Sequence, residues 1–186
     1  MIPDTDFITH EGVPGPTKEE IRCLVICKSE VSKKDIVVDI GCGTGGLTLE
    51  FAKRGNIVYA VDKNIDALNI TKENLKKHGL DKKAKLIYKD ALEALNDIKK
   101  LDILIVGGSS GDLPLIIKEG YKKLTKNGKI IVTSILIETP TEAIETMKNL
   151  QMGLDVVNVS ISKGKILDRG TMMLAKNPIT IVTGKK

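Results

Sequence analysis

The sequence has no tryptophan, and aromatic residues make up only 3 % of its 186 positions. Surfaces that hold unpaired bases stack them on aromatic rings, so this composition argues against nucleic acid as a partner. Histidine is nearly absent as well: only His10 and His78 occur, and no Ser-His-Asp set can be assembled. His78 falls at the end of a helical pattern, where it reads as a capping residue. Arginine is scarce, since only Arg22, Arg54 and Arg169 stand among the 29 basic residues. The three cysteines, Cys23, Cys27 and Cys42, fit a reducing compartment. Cys23 and Cys27 share one helix face, but no Cys or His cluster adjoins them. They read as buried free thiols, and no metal is expected. No apolar run reaches the roughly 18 residues that a membrane span needs. Met1 to His10 lacks a basic stretch followed by an apolar one, so no secretory signal is read and the cytoplasm is the expected compartment.

What is present is globular: 41 % hydrophobic and 28 % charged residues. The length suits a single domain over 1–186, with an N-terminal segment and helix in 1–30 and a sheet core in 31–186. A net charge of +5 suits an anionic partner or a solvated lysine-rich surface.

Strands and helices alternate along the chain. After a Gly- and Pro-rich opening, Thr17-Lys-Glu-Glu20 has capping-box spacing and predicts a helix starting at Thr17. Ile36–Ile40 is a short β-branched run and reads as a buried parallel strand. The pattern continues with helix 47–54, strand 56–61, helix 64–78 closed by Gly79, strand 85–88, helix 91–98, strand 102–106, helix 113–124, strand 129–134 and helix 140–150, started by Thr139 or Pro140. Two β-rich stretches, 156–161 and 172–182, follow. Ser-Lys-Gly-Lys and Asp-Arg-Gly join them without a helix, which reads as an antiparallel hairpin. The expected fold is α/β, Rossmann-like, with a mostly parallel sheet, one reversed strand and helices on both faces.

Gly41-Cys-Gly-Thr-Gly-Gly46 lies between a strand and a helix, where a nucleotide-bearing cofactor can sit at the strand ends. Alone it is ambiguous, because Gly41, Gly43 and Gly46 also satisfy the dinucleotide pattern. The setting favours S-adenosylmethionine. Asp39 places a carboxylate where a pyrophosphate would be repelled but a sulfonium and an ammonium would not. Asp62 ends the next strand, placed for ribose hydroxyls. Asp90 and Ala91 follow the third strand, where an acid and an amide can read adenine. Gly107-Gly-Ser-Ser-Gly-Asp112, after the fourth strand, should face the substrate, which makes Gly108, Ser109 and Ser110 candidates there. It contains no Asn/Asp-Pro-Pro-aromatic motif, so stacking a flipped base is disfavoured.

The run from Asp39 to Gly45, with Asp62 and Asp90 behind it, resembles the class I S-adenosylmethionine-dependent methyltransferases. That likeness implies seven strands with the last antiparallel. Four segments together resemble the decarboxylating cobalt-precorrin methyltransferases of anaerobic cobalamin synthesis: Val13-Pro-Gly-Pro-Thr17, Asp39-Ile-Gly-Cys-Gly-Thr-Gly45, Val106-Gly-Gly-Ser-Ser-Gly111 and Leu167-Asp-Arg-Gly-Thr-Met-Met173. The resemblance implies methylation of carbon 15 of cobalt-precorrin-6B, with decarboxylation of an acetate side chain. It further implies a homo-oligomer, a tetramer, and a separate enzyme for carbon 5. Carried over, it brings Thr17, Gly41, Cys42, Gly43, Thr44, Gly45, Asp62 and Ala91 to the cofactor. Thr17 is then a helix cap alone, or a cap that also touches the cofactor's carboxylate end. Arg169, Lys163 and Lys63 are candidate partners for the substrate's carboxylates. No catalytic residue is assigned, because a conjugated ring activates its own carbon and positioning supplies much of the rate. A tRNA or rRNA methyltransferase shares the cofactor pattern and the basic charge; an NAD-dependent oxidoreductase shares the glycines.

Overall fold

The computed structural model describes residues 1–108 and 111–186. Helix α1 (Glu19–Ser29) precedes an alternation of β1 (Ile36–Ile40), α2 (Gly46–Ala52), β2 (Ile57–Asp62), α3 (Ile65–Lys77), β3 (Ala84–Tyr88), α4 (Ala91–Asp97), β4 (Leu101–Val106), α5 (Leu113–Lys123), β5 (Leu124–Ser134) and α6 (Glu138–Asn149). Four strands close the chain: β6 (Gly153–Val159), β7 (Ser162–Leu167), β8 (Gly170–Ala175) and β9 (Ile179–Lys185). The main sheet has seven strands in the order β3-β2-β1-β4-β5-β9-β6. Strands β1 to β5 pair in parallel, and β9 runs antiparallel to both β5 and β6. The mostly parallel sheet with one reversed strand is thus the architecture observed.

Alternation along the strands divides the core in two. Val38, Ile40, Leu104, Val106, Ile130 and Val132 face α4, α5 and α6. Val37, Val58, Ile103, Ile105 and Ile131 face α1 and α2. Successive side chains on a strand point to opposite faces, so a continuous apolar run is what a doubly covered strand requires. Residues 1–17 run along the second face, where Ile2 and Phe7 are buried among Ile21, Val25 and Phe51.

Three local expectations are corrected. Helix α1 begins at Glu19 with Lys18 as N-cap, and no side chain caps it. Thr17 therefore precedes the helix, because charged groups claim both ends of the proposed box. Arg22 Nη1 donates to the Thr17 carbonyl at 2.5 Å, and Lys163 Nζ lies 2.7 Å from Glu20 Oε1. Helix α6 begins at Glu138, not at Thr139 or Pro140, which leaves Pro140 in the first turn where its missing N–H costs nothing. Ser162-Lys-Gly-Lys165, read as a connector, belongs to β7, which pairs with β8 as a separate two-stranded sheet. The hairpin is thus an excursion between β6 and β9, and both of those strands join the main sheet.

Close packing against the sheet supplies a test. A Cβ added at Gly120 in α5 would lie 2.3 Å from Leu104 Cδ2. Gly120→Ala is expected to lower stability by about 1–3 kcal/mol, despite alanine's better helix propensity, as measured by chemical denaturation.

Candidate active site

The sheet places its functional groups at the carboxyl ends of β1, β2 and β4. The N–H groups of Gly41 and Cys42 both donate to the Val61 carbonyl, at 2.9 and 3.1 Å. Gly45 N–H donates to Cys42, and Gly43 N–H donates to Asp62 Oδ2 at 2.9 Å. Four of the loop's N–H donors are thereby engaged within the chain. Gly41, with φ +72°, has no room for a side chain: a Cβ would lie 3.0 Å from Gly108 N. Gly43, with φ +56°, faces open space. Its freedom from a Cβ therefore serves the backbone turn and the approach of a ligand.

Two side chains on α3 hold this loop from beneath. Thr71 Oγ1 donates to the Gly43 carbonyl at 2.7 Å, and Asn74 Nδ2 donates to the Thr44 carbonyl at 3.0 Å. Asn74 also accepts from Ile8 N–H at 2.7 Å and donates to the Ile8 carbonyl at 3.0 Å. It thus ties the N-terminal segment to the glycine loop. No motif in the sequence marks either residue. Their signal was the interruption of α3's buried face, Ala67, Leu68, Ile70 and Leu75, by two polar residues that are also buried.

A cavity of about 390 Å³ opens above the loop. Thr17, Gly41, Cys42, Gly43, Thr44, Asp62, Asp90 and Ala91 all line it, together with Asp39 and Lys63. Gly45 does not. It is the N-cap of α2 at φ +86°, and a Cβ there would meet Leu49 and Thr71 at 3.0 Å. The three acids named from the sequence, Asp39, Asp62 and Asp90, thus share one wall. Asp90 also caps α4, accepting from Leu92 N–H at 3.0 Å. Asp62 Oδ1 accepts from Asn64 N–H at 2.9 Å, and each of its oxygens keeps a lone pair for a further donor. The buried hydroxyl of Thr44 has no partner among the described residues.

Asp39 points to the α2 face, where Thr48 Oγ1 donates to it at 2.6 Å. Burial pushes its carboxyl up to about 6; the Thr48 hydroxyl opposes that rise and the Asp62 charge adds to it. Burial also raises the Cys42 thiol, with Asp39 and Asp62 adding to the effect. Cys42 is therefore a neutral thiol packed on Ala60 and Leu68 and no nucleophile.

A second cavity, of about 810 Å³, adjoins the first. Pro14, Gly15, Pro16, Thr17, Gly107, Gly108 and Thr133 line both. The rest of the second wall is largely apolar, with Val106, Ile135, Leu136 and Ile179, and its charged members are Lys18, Glu138 and Glu142. Gly108 is thus at the junction, while Ser109 and Ser110 lie outside the described residues. Lys163 is engaged by Glu20, and Arg169 sits in the turn between β7 and β8, away from the linings of both cavities. Among the described residues Lys18, absent from the sequence-based candidates, is the cation that reaches the second cavity. Cys23 and Cys27 are exposed on α1, not buried.

Residues 7–186 match the model of the precorrin methyltransferase domain. The chain belongs to the precorrin methyltransferase family. Within it, the chain is 47 % identical, over 98 % of its own length and 95 % of the relative's, to a probable cobalt-precorrin-6B C(15)-methyltransferase (decarboxylating) of Methanothermobacter thermautotrophicus. A crystal structure described as precorrin 8W decarboxylase, from Methanobacterium thermoautotrophicum, matches with a TM-score of 0.96 and 47 % identity, covering 99 % of both chains. A precorrin-6y C5,15-methyltransferase structure from Geobacter metallireducens matches with a TM-score of 0.91 and 27 % identity, over 100 % of this chain and 96 % of that one. This precorrin methyltransferase therefore pairs an acid-lined cavity on the glycine loop with a larger, more apolar one beside it.

The buried acid gives this methyltransferase a measurable pH dependence. Asp39 holds its proton to a higher pH folded than unfolded. Its contribution to stability is complete below about 3.8 and is lost as pH rises through about 6. Between about pH 4 and about pH 7 the ligand-free protein should lose about 2 kcal/mol relative to Asp39→Asn. Urea denaturation of both proteins across that range measures the difference.

Proposed function

We propose that this chain, acting as one domain over residues 1–186 in the cytoplasm, transfers a methyl group from S-adenosylmethionine to carbon 15 of cobalt-precorrin-6B and releases carbon dioxide from an acetate side chain. The observation that carries this reading is the pair of adjoining cavities: an acid-lined one for the donor and a larger apolar one for a macrocycle, with a common wall. Close likeness over nearly the whole chain to proteins named for this reaction supplies the substrate.

The donor cavity fits S-adenosylmethionine by its own chemistry. Its acids suit a cationic ligand and would repel a pyrophosphate, and four of the loop's N–H groups, those of Gly41, Cys42, Gly43 and Gly45, are already engaged within the chain. Both features disfavour NAD. Thr17, Gly41, Cys42, Gly43 and Thr44 would border the methionine end. Asp62 would accept from the ribose hydroxyls, and Asp90 with Ala91 would read the adenine edge. Gly45 supports the loop from below. The bound donor supplies a sulfonium methyl, positioned for in-line displacement. The protein's own task is then alignment across the Pro14–Thr17 and Gly107–Gly108 wall.

In the second cavity the apolar residues Val106, Ile135, Leu136 and Ile179 would receive the macrocycle's faces, with Gly108 at the reacting edge and Lys18 near a peripheral carboxylate. In decarboxylation the carbon–carbon bond breaks, its electron pair enters the conjugated ring, carbon dioxide leaves, and the exocyclic carbon takes up a proton. Among the described residues the second cavity's lining contains no aromatic side chain, which disfavours an RNA base as acceptor. The assembly we propose is a homotetramer, working in sequence with a carbon-5 methyltransferase. Ile166, Met172, Met173 and Leu174, apolar and exposed on β7 and β8, support association between copies.

Incubating the pure protein with cobalt-precorrin-6B and S-adenosylmethionine should give a product with one methyl added and one carbon dioxide lost; a product lacking either change refutes the assignment. Calorimetry should detect S-adenosylmethionine and not NADH. Asp62→Asn should weaken that binding by about 10- to 100-fold, the equivalent of one hydrogen bond to a charged group.

A further inference from the structure

Arg22 is fully buried on α1 and lines neither cavity. Its guanidinium nonetheless gathers three separate parts of the N-terminal segment. Nη2 donates to the Ile2 carbonyl, while Nη1 donates to Asp4 Oδ1 at 2.8 Å and to the Thr17 carbonyl at 2.5 Å. The Phe7 ring lies 4.7 Å from Cζ, and Glu50, also fully buried, stands 3.8 Å from Nε. Burying a charge is costly, and an ion pair there seldom repays it in stability, so such a group is better explained by the geometry it enforces. Here that geometry is the path of Pro14–Thr17, the wall shared by the two cavities. The opposite side of the wall is equally confined: a Cβ added at Gly46, the first residue of α2, would lie 3.1 Å from Pro16 Cβ and 3.1 Å from Thr17 N. Pro16 and Thr17 are therefore held between a buried guanidinium and a helix start that has no side chain.

We propose that Arg22 is a positioning residue for methyl transfer: by holding the Thr17 carbonyl it fixes the wall against which the donor is seated and across which the methyl group passes. The inference rests on the assignment of the first cavity to S-adenosylmethionine. The acceptors are divided between two separate nitrogens, Nη1 for Asp4 and Thr17 and Nη2 for Ile2, a spread that the three donors of a single ammonium nitrogen do not match. A lysine ammonium keeps the charge opposite Glu50 and Asp4 but cannot hold Ile2, Asp4 and Thr17 together.

The test compares the native protein with Arg22→Lys and Gly46→Ala, all well below their unfolding midpoints. The readouts are NMR order parameters of the Gly15 and Thr17 amides, calorimetric affinity for S-adenosylmethionine, and kcat against KM. For Arg22→Lys we expect lower order parameters at Gly15 and Thr17 with those of β1 and β4 unchanged. We also expect affinity for S-adenosylmethionine about 10-fold weaker and a raised KM for it, which loss of global stability alone would not produce. Gly46→Ala displaces the same wall from its other side and should weaken affinity in the same direction with Arg22 intact. A folded Arg22→Lys protein with native order parameters at Gly15 and Thr17, or with native affinity, overturns the proposal. Where Arg22→Lys fails to fold, native affinity in Gly46→Ala overturns it. A native protein that binds no S-adenosylmethionine instead refutes the cavity assignment, and the order parameters then still report whether Arg22 holds the wall.

Discussion

Strand order is the constraint on which the molecule depends. The sheet runs β3-β2-β1 in one direction and β4-β5 in the other, so the chain leaving β1 turns away from the chain leaving β4. The crevice between their carboxyl ends exists because of this reversal and not because any side chain carves it. Gly41 and Gly107 stand at its two lips, joined where Gly107 N–H donates to the Ile40 carbonyl at 3.0 Å. Two adjoining cavities follow directly, one seated on the chain exit of β1 and both bordered by the exit of β4.

The crevice alone is open at the top, and the N-terminal segment completes it. That segment has little regular structure of its own, so its course is set by buried polar groups on neighbouring helices, Arg22 on α1, Glu50 on α2 and Asn74 on α3. Asn74 meets Ile8 and Thr44 together, so the position of the strap and the shape of the glycine loop are not independent. Polar residues in the core thus act as fasteners for main chain that has no ladder of hydrogen bonds to guide it.

These fasteners explain where the sequence was legible. The β-branched runs of β1 and β4, the glycine loop and its three acids follow local rules, and the structure places them as those rules require. Thr17 was misread because the capping-box spacing is local, while the groups that claim Thr17 and Glu20 come from within α1 and from β7. β7 looked like a connector because its side chains contribute nothing to the core, so no apolar alternation marks it. Arg169 looked suited to an acidic substrate, yet its place at a hairpin tip depends on strand pairing that spacing does not reveal. Lys18, Thr71 and Asn74 gave only faint signals, since each matters through a neighbour distant in sequence.

The raised carboxyl of Asp39 carries a further consequence. A carboxyl still partly protonated around pH 6 would ionise more fully on arrival of the cationic ligand proposed for its cavity. Ligand capture is then also a proton-release event, and the heat of binding will depend on the ionisation enthalpy of the buffer that accepts the proton. On such binding up to one proton would leave below about pH 6, and only a small fraction of one well above it.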